Sequence, residues 1–190
     1  MNGKMIFQGT LLAVAALSLL GGCTPSPVVR SEPSYEEAAA SKFVATNRAA
    51  AEQLIAGLDR RSLGDGPVLV ATIVNVNDLR RSAPLGRTLS EQYASSIAMA
   101  GFDVKEMKLR GDVFVKEETG ELLLSREVKD IARSHSASFV LVGTYSPAAT
   151  VTYVSLKLVR TEDGRILRAT DYALPNDRDV MRLLQPPVLR

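Results

Sequence analysis

The chain has 190 residues, 46% of them hydrophobic and 23% charged, which excludes wholesale disorder and fits one folded domain with appendages. Its 23 Lys+Arg against 21 Asp+Glu leave a formal charge of +2, so there is no general electrostatic reason to bind nucleic acid. One Cys (Cys23) and one His (His135) exclude an intrachain disulfide framework and a Cys-rich zinc site. Met1 to Gly22 carries one charge, Lys4, and then an apolar run that is densest from Thr10 to Leu20. That run is shorter than the roughly 20 residues of a spanning helix. A basic start, a short apolar core and small residues after it read as a secretory signal over residues 1–22. The other reading is a short anchor or a buried core helix.

Leu20-Gly21-Gly22-Cys23 resembles the bacterial lipobox, an apolar residue and two small ones before a Cys. The resemblance implies a diacylglycerol thioether on Cys23, cleavage before it, and acylation of the new amine. A thiol is the nucleophile such chemistry needs, whereas a lone Cys elsewhere is usually a small buried hydrophobe. Thr24, where an Asp would favour inner-membrane retention, points to the outer membrane. Residues 23–34 then hold three prolines and no helical or strand period, an extended tether between lipid and domain.

A first helix is expected from Tyr35 to about Asp59, capped by Ser34, with Phe43, Ala50, Leu54, Ile55 and Leu58 as its apolar stripe. After Gly64-Asp65-Gly66-Pro67, the β-branched run Pro67 to Val76 predicts a strand covered on both faces. A polar loop with Arg80 and Arg81 leads to a helix that starts around Ala83 to Leu85. It buries Leu85, Leu89, Tyr93 and Ile97 and ends at Gly101. Strands follow at Phe102 to Leu109 and Asp112 to Lys116. Ser125 caps a helix with Val128, Ile131 and Ala132 inward. Ser138 to Tyr145 reads as a second central strand. Thr150 to Arg160 and Arg165 to Leu174 read as a hairpin around Asp163-Gly164. A short helix, Asp177 to Leu184, precedes Pro186-Pro187. The fold class is therefore mixed α/β (α+β): one sheet with parallel and antiparallel strands, packed with helices, in a single domain over residues 35–175 and a tail over 176–190. Pro67 to Leu109 supplies a parallel crossover unit.

Five short motifs stand in this frame: Leu85-Gly86-Arg87, Leu89-Ser90-Glu91-Gln92, Leu124-Ser125-Arg126, Val142-Gly143-Thr144-Tyr145 and Asp171-Tyr172-Ala173-Leu174-Pro175. In their order and separation, from about Tyr35 to Pro175, the chain resembles the FlgO family of bacterial outer-membrane proteins. That resemblance implies a periplasm-facing envelope lipoprotein, associated with the ring that supports the flagellum at the outer membrane. Non-flagellar relatives also carry the domain. Each motif has a structural reading too. Gly86 permits close helix packing or a bend, Gly143 admits a neighbouring side chain, and Asp171 with Arg126 forms an ion pair.

No catalytic, cofactor or metal constellation is visible. Without a second His, a Cys–His dyad and a transition-metal cluster lack ligands, and no Gly-x-Ser-x-Gly, Walker or dinucleotide loop is present. The chain is therefore expected not to be an enzyme. Arg80, Arg81 and Arg87 are the candidate interface, because the strand ends they flank are the usual partner side of an open α/β sheet. The plainer reading is three solvated arginines. The expected partners are the outer membrane through Cys23, envelope or flagellar ring proteins, and a further copy of the chain. A periplasmic ligand-binding or secretion-accessory lipoprotein is the alternative function, and a hydrolase a weaker one.

Overall fold

A computed structural model describes residues 32–58, 66–79, 82–107 and 126–185. The expected signal, Cys23, most of the tether, Arg80, Arg81, the strand Asp112 to Lys116, the Ser125 cap and Pro186-Pro187 lie outside the described residues. Described in chain order are α1 (Tyr35–Ala39), α2 (Lys42–Ile55), β1 (Val68–Ala71), β2 (Val74–Asn75), α3 (Pro84–Met99) and β3 (Val104–Met107). Then come α4 (Arg126–Ser134), β4 (Phe139–Pro147), β5 (Val151–Arg160), β6 (Ile166–Pro175) and α5 (Arg178–Leu184).

The strands form one sheet in the order β3-β1-β4-β5-β6, with β2 also on β4. β1 runs parallel to β3 and to β4, and β2 parallel to β4, so the expected crossover unit is present. β4, β5 and β6 run antiparallel. Their hairpin turns at Gly164, whose φ of +76° is cheap only for glycine. Mixed pairing and the placement of both apolar strands, β1 and β4, in the sheet interior match the sequence pattern.

Strand alternation gives the sheet two different faces. On the first, Val68, Val70, Leu141, Tyr145, Leu156 and Leu158 meet Ala50, Ala51 and Leu54 of α2, the full stripe of α3 (Leu85, Leu89, Tyr93, Ile97), and Val180 of α5. On the second, Leu69, Ala71, Val140, Val142 and Val159 meet Ala132 and Ala137 at α4 and just after it. On the β5–β6 half of this face Tyr153 is 57% exposed, and Asp171 and Ala173 are also exposed. Among the described residues, no helix is long and apolar enough to cross a membrane.

Two expected elements are interrupted. The first helix breaks at Ala40 and Ser41, where Ser41 takes φ −55°, ψ 121°. α1 has no buried residue to hold it in line with α2, and its start is capped by the Ser34–Glu37 capping box. The strand expected over Pro67 to Val76 breaks at Thr72 and Ile73. The Ile73 backbone leaves the ladder and bonds to the segment that carries α3.

Candidate functional site

Ile73 is where helix and sheet lock. Its N–H donates to the Ser90 hydroxyl (2.9 Å), and its carbonyl accepts from the Ser82 hydroxyl (2.8 Å). Ser90 in turn donates to the Gly86 carbonyl one turn back, at 2.8 Å. A Cβ at Gly86 would overlap the Ile73 carbonyl oxygen, so the glycine is what allows this approach. Gly143 plays the same part in β4: a Cβ there would stand 2.6 Å from a Leu156 methyl and 3.3 Å from Ile73 Cγ1. Both glycines therefore serve close packing, as their sequence context predicts.

The N-terminus of α3 sits beside the end of β2. The Ala83 N–H donates to the Tyr145 hydroxyl (2.9 Å), and burial pushes that phenol's pKa up. Arg87, exposed, donates from Nη1 to the Ser82 carbonyl (3.0 Å). Of the three candidate interface arginines, Arg87 is thus placed at the strand ends. Arg80 and Arg81 lie outside the described residues, as does Cys23.

A polar chain that the sequence did not announce runs under the first face. Tyr93 donates to the Tyr172 hydroxyl (2.5 Å), Tyr172 donates to Asn47 Oδ1 (2.7 Å), and Asn47 Nδ2 donates to Gln92 Oε1 (2.6 Å). Asn47 is buried in α2 between Phe43 and Ala50, on the spacing of the apolar stripe. That spacing was the signal that could have found it. Desolvation raises both phenol pKa values, and the hydrogen bond from Tyr93 partly offsets the rise at Tyr172.

The second face carries an open groove of about 490 Å³. Two adjacent cross-strand rows make its floor. Thr144, Ser155 and Asp171 stand side by side on β4, β5 and β6; one step along stand Ser146, Tyr153 and Ala173. The Ser155 hydroxyl donates to Asp171 Oδ1. Asp171 was expected to pair with Arg126; the side chain recorded against it is Ser155, and that of Arg126 lies outside the described side chains. Two of the five sequence motifs meet here, through Thr144 and through Asp171 and Ala173. Tyr153 and Ser155 belong to no motif. His135 is exposed just past α4, and its carbonyl accepts from Lys105 Nζ at 3.1 Å. Among the described residues, no group of three or more His, Cys, Asp or Glu could hold a metal.

Comparison with known proteins gives one family and a set of distant folds. The family model described as FlgO protein matches residues 48–179. Among solved structures the chain is similar to the LpoB C-terminal domain from Escherichia coli, with 16% identity, 70% of this chain and 98% of that one covered, and a TM-score of 0.47. It is also similar to the PelC dodecamer from Paraburkholderia phytofirmans (17% identity, 58% and 72% covered, TM-score 0.41). A third is lipoprotein GNA1162 from Neisseria meningitidis (13% identity, 60% and 83% covered, TM-score 0.42). No curated protein matches.

Proposed function

This chain belongs to the FlgO family, and on that premise we propose that it is a lipid-anchored structural or assembly protein of the outer membrane, associated with the flagellar envelope ring. The observation that carries the reading is the family match over residues 48–179, placed behind Leu20-Gly21-Gly22-Cys23. In this reading residues 1–22 are removed, Cys23 carries the acyl chains, and residues 24–34 span from the lipid to the domain. Three acyl chains exceed the two signals that stable anchoring takes. The domain faces the periplasm and presents the α3 N-terminus with Arg80, Arg81 and Arg87 to a ring protein or to another copy. It acts by binding.

Fractionation of envelopes and mass measurement test this. The wild-type chain is expected in the outer-membrane fraction with acyl mass on a mature N-terminus at Cys23, and Cys23→Ser is expected uncleaved or outside that fraction. Deletion of the gene is expected to reduce swimming, with restoration by wild type and not by Cys23→Ser. A mature chain without acyl mass overturns the anchoring. Undiminished swimming in the deletion strain overturns the flagellar role and leaves the second reading, a periplasmic ligand-binding lipoprotein. The groove on the open sheet face is the observation that favours that alternative.

A further inference from the structure

The open groove has a chemistry of its own. Tyr153 stands at its centre, flanked along its row by Ser146 and Ala173, both too small to cover the ring. The ring is 57% exposed although it rises from β5, an interior strand of the sheet. Beside it the adjacent row supplies the Ser155 hydroxyl and the Asp171 carboxylate, with Thr144 buried at its inner end. Ser155 fixes that carboxylate by donating to Oδ1, which leaves Oδ2 as an acceptor. The site is thus an aromatic surface next to a line of hydroxyl and carboxylate groups.

Elimination narrows what would fit. Among the described residues the lining has no Lys, Arg or His to neutralise a phosphate or a carboxylate. The backbone below is committed: β5 lies between β4 and β6, and at Thr144 β4 lies between β2 and β5. β6 ends the strand order, so an extended peptide that adds as a strand would pair along its outer edge, beside this floor rather than on it. The groove is open rather than enclosed, while its volume of about 490 Å³ falls within the roughly 300–1,000 Å³ of ligand clefts. It therefore suits a segment of a longer chain. A pyranose has an apolar C–H face that can lie on an aromatic ring, and a rim of hydroxyls that both donate and accept.

We propose that the Tyr153 groove binds a glycan chain, with one sugar ring stacked on Tyr153 and its hydroxyls bonded to Asp171 and Ser155. This goes beyond the anchoring and ring association proposed above and does not depend on them. The probes are chitohexaose and maltohexaose, titrated calorimetrically into the full lipidated chain in detergent, with a Gly-Ser hexapeptide as comparison. Saturable binding of at least one hexasaccharide is expected, weakened tenfold or more by Tyr153→Ala and by Asp171→Asn. Both variants should keep the wild-type thermal transition, because both side chains are exposed. Tyr35→Ala removes the 98% exposed aromatic of α1, outside the groove, and should leave the affinity unchanged. Failure of both hexasaccharides to saturate at millimolar concentration overturns the proposal. So does an affinity indifferent to Tyr153→Ala and Asp171→Asn, an equal loss in Tyr35→Ala, or preferential binding of the hexapeptide that Tyr153→Ala abolishes.

Discussion

Asn47 shows how one polar residue organises a buried contact between helices and sheet. It accepts from Tyr172 on β6 and donates to Gln92 on α3, so α2, α3 and β6 are tied through a single amide. Tyr172→Phe keeps the ring but strands the Asn47 carbonyl and leaves the Tyr93 hydroxyl without its acceptor. Because unsatisfied buried groups cost more than the bond itself, the loss is expected to be about 1–3 kcal/mol in a urea melt. The same pair of phenols makes stability depend on pH at the alkaline end. Burial raises both above the usual phenol value of about 10. Above that value the unfolded chain releases protons that the folded chain holds, so stability falls as pH rises. Unfolding free energy measured from pH 8 to 11 should be level at first and then decline. Tyr172→Phe should decline less steeply; an equal slope would show that these phenols do not share in it.

At the scale of elements, the seat of α3 on the sheet is decided by bulk at one position. Gly86→Ala drives a methyl against the Ile73 carbonyl and the Ser82 hydroxyl. Backbone has to move to relieve it, at an expected cost of about 1–3 kcal/mol. Leu141, fully buried in β4, gives the contrasting case of a void: Leu141→Ala should cost about 2–5 kcal/mol, with a loss under about 0.5 kcal/mol inconsistent with an interior strand. Denaturant melts of both variants check the two values. The stripe Leu85, Leu89, Tyr93, Ile97 was readable from sequence because a four-residue step is local, and all four side chains are buried. The break at Ile73 was not. Val70 to Val76 has β-branched residues throughout most of its length, and nothing local warns that Ser82 and Ser90, nine and seventeen residues on, take the Ile73 backbone groups. The split of the first helix was hidden likewise: an alanine-rich run favours a helix everywhere, but only its second part has a surface to pack on.

Across the whole molecule, the two sheet faces divide the work. Among the described residues, the first is closed by α2, α3 and α5 and holds most of the core, while the second packs on α4 and carries the groove. Sequence supplied parts of that groove, since Thr144, Asp171 and Ala173 stand in motifs, yet not the site. Ser155 and Tyr153 join them only through the registers of two hairpins, Thr144 with Ser155 and Ser155 with Asp171, and registers are set by pairing across strands. The groove and Arg87 are also separate. Arg87 marks the α3 N-terminus at the end of β2, and among the described residues no arginine lines the groove. That separation gives the last prediction its discrimination. Replacing Arg80 and Arg81 together by Glu reverses the charge of the loop that enters α3, while Ser82, Ser90 and Gly86 still hold the helix. The variant is expected to fold, to be lipidated, and to keep its affinity for whichever hexasaccharide the groove binds. Its association with the envelope assembly should fall, because arginines are frequent interface anchors and a like-charge juxtaposition is costly. Cross-linking in intact cells, followed by purification of tagged wild type and variant, compares the assemblies that each retains. Equal recovery of the wild-type assembly would make these arginines ordinary solvated charges and would move the contact to the exposed β5–β6 half of the sheet, where Arg87→Glu should be silent and Tyr153→Ala should not.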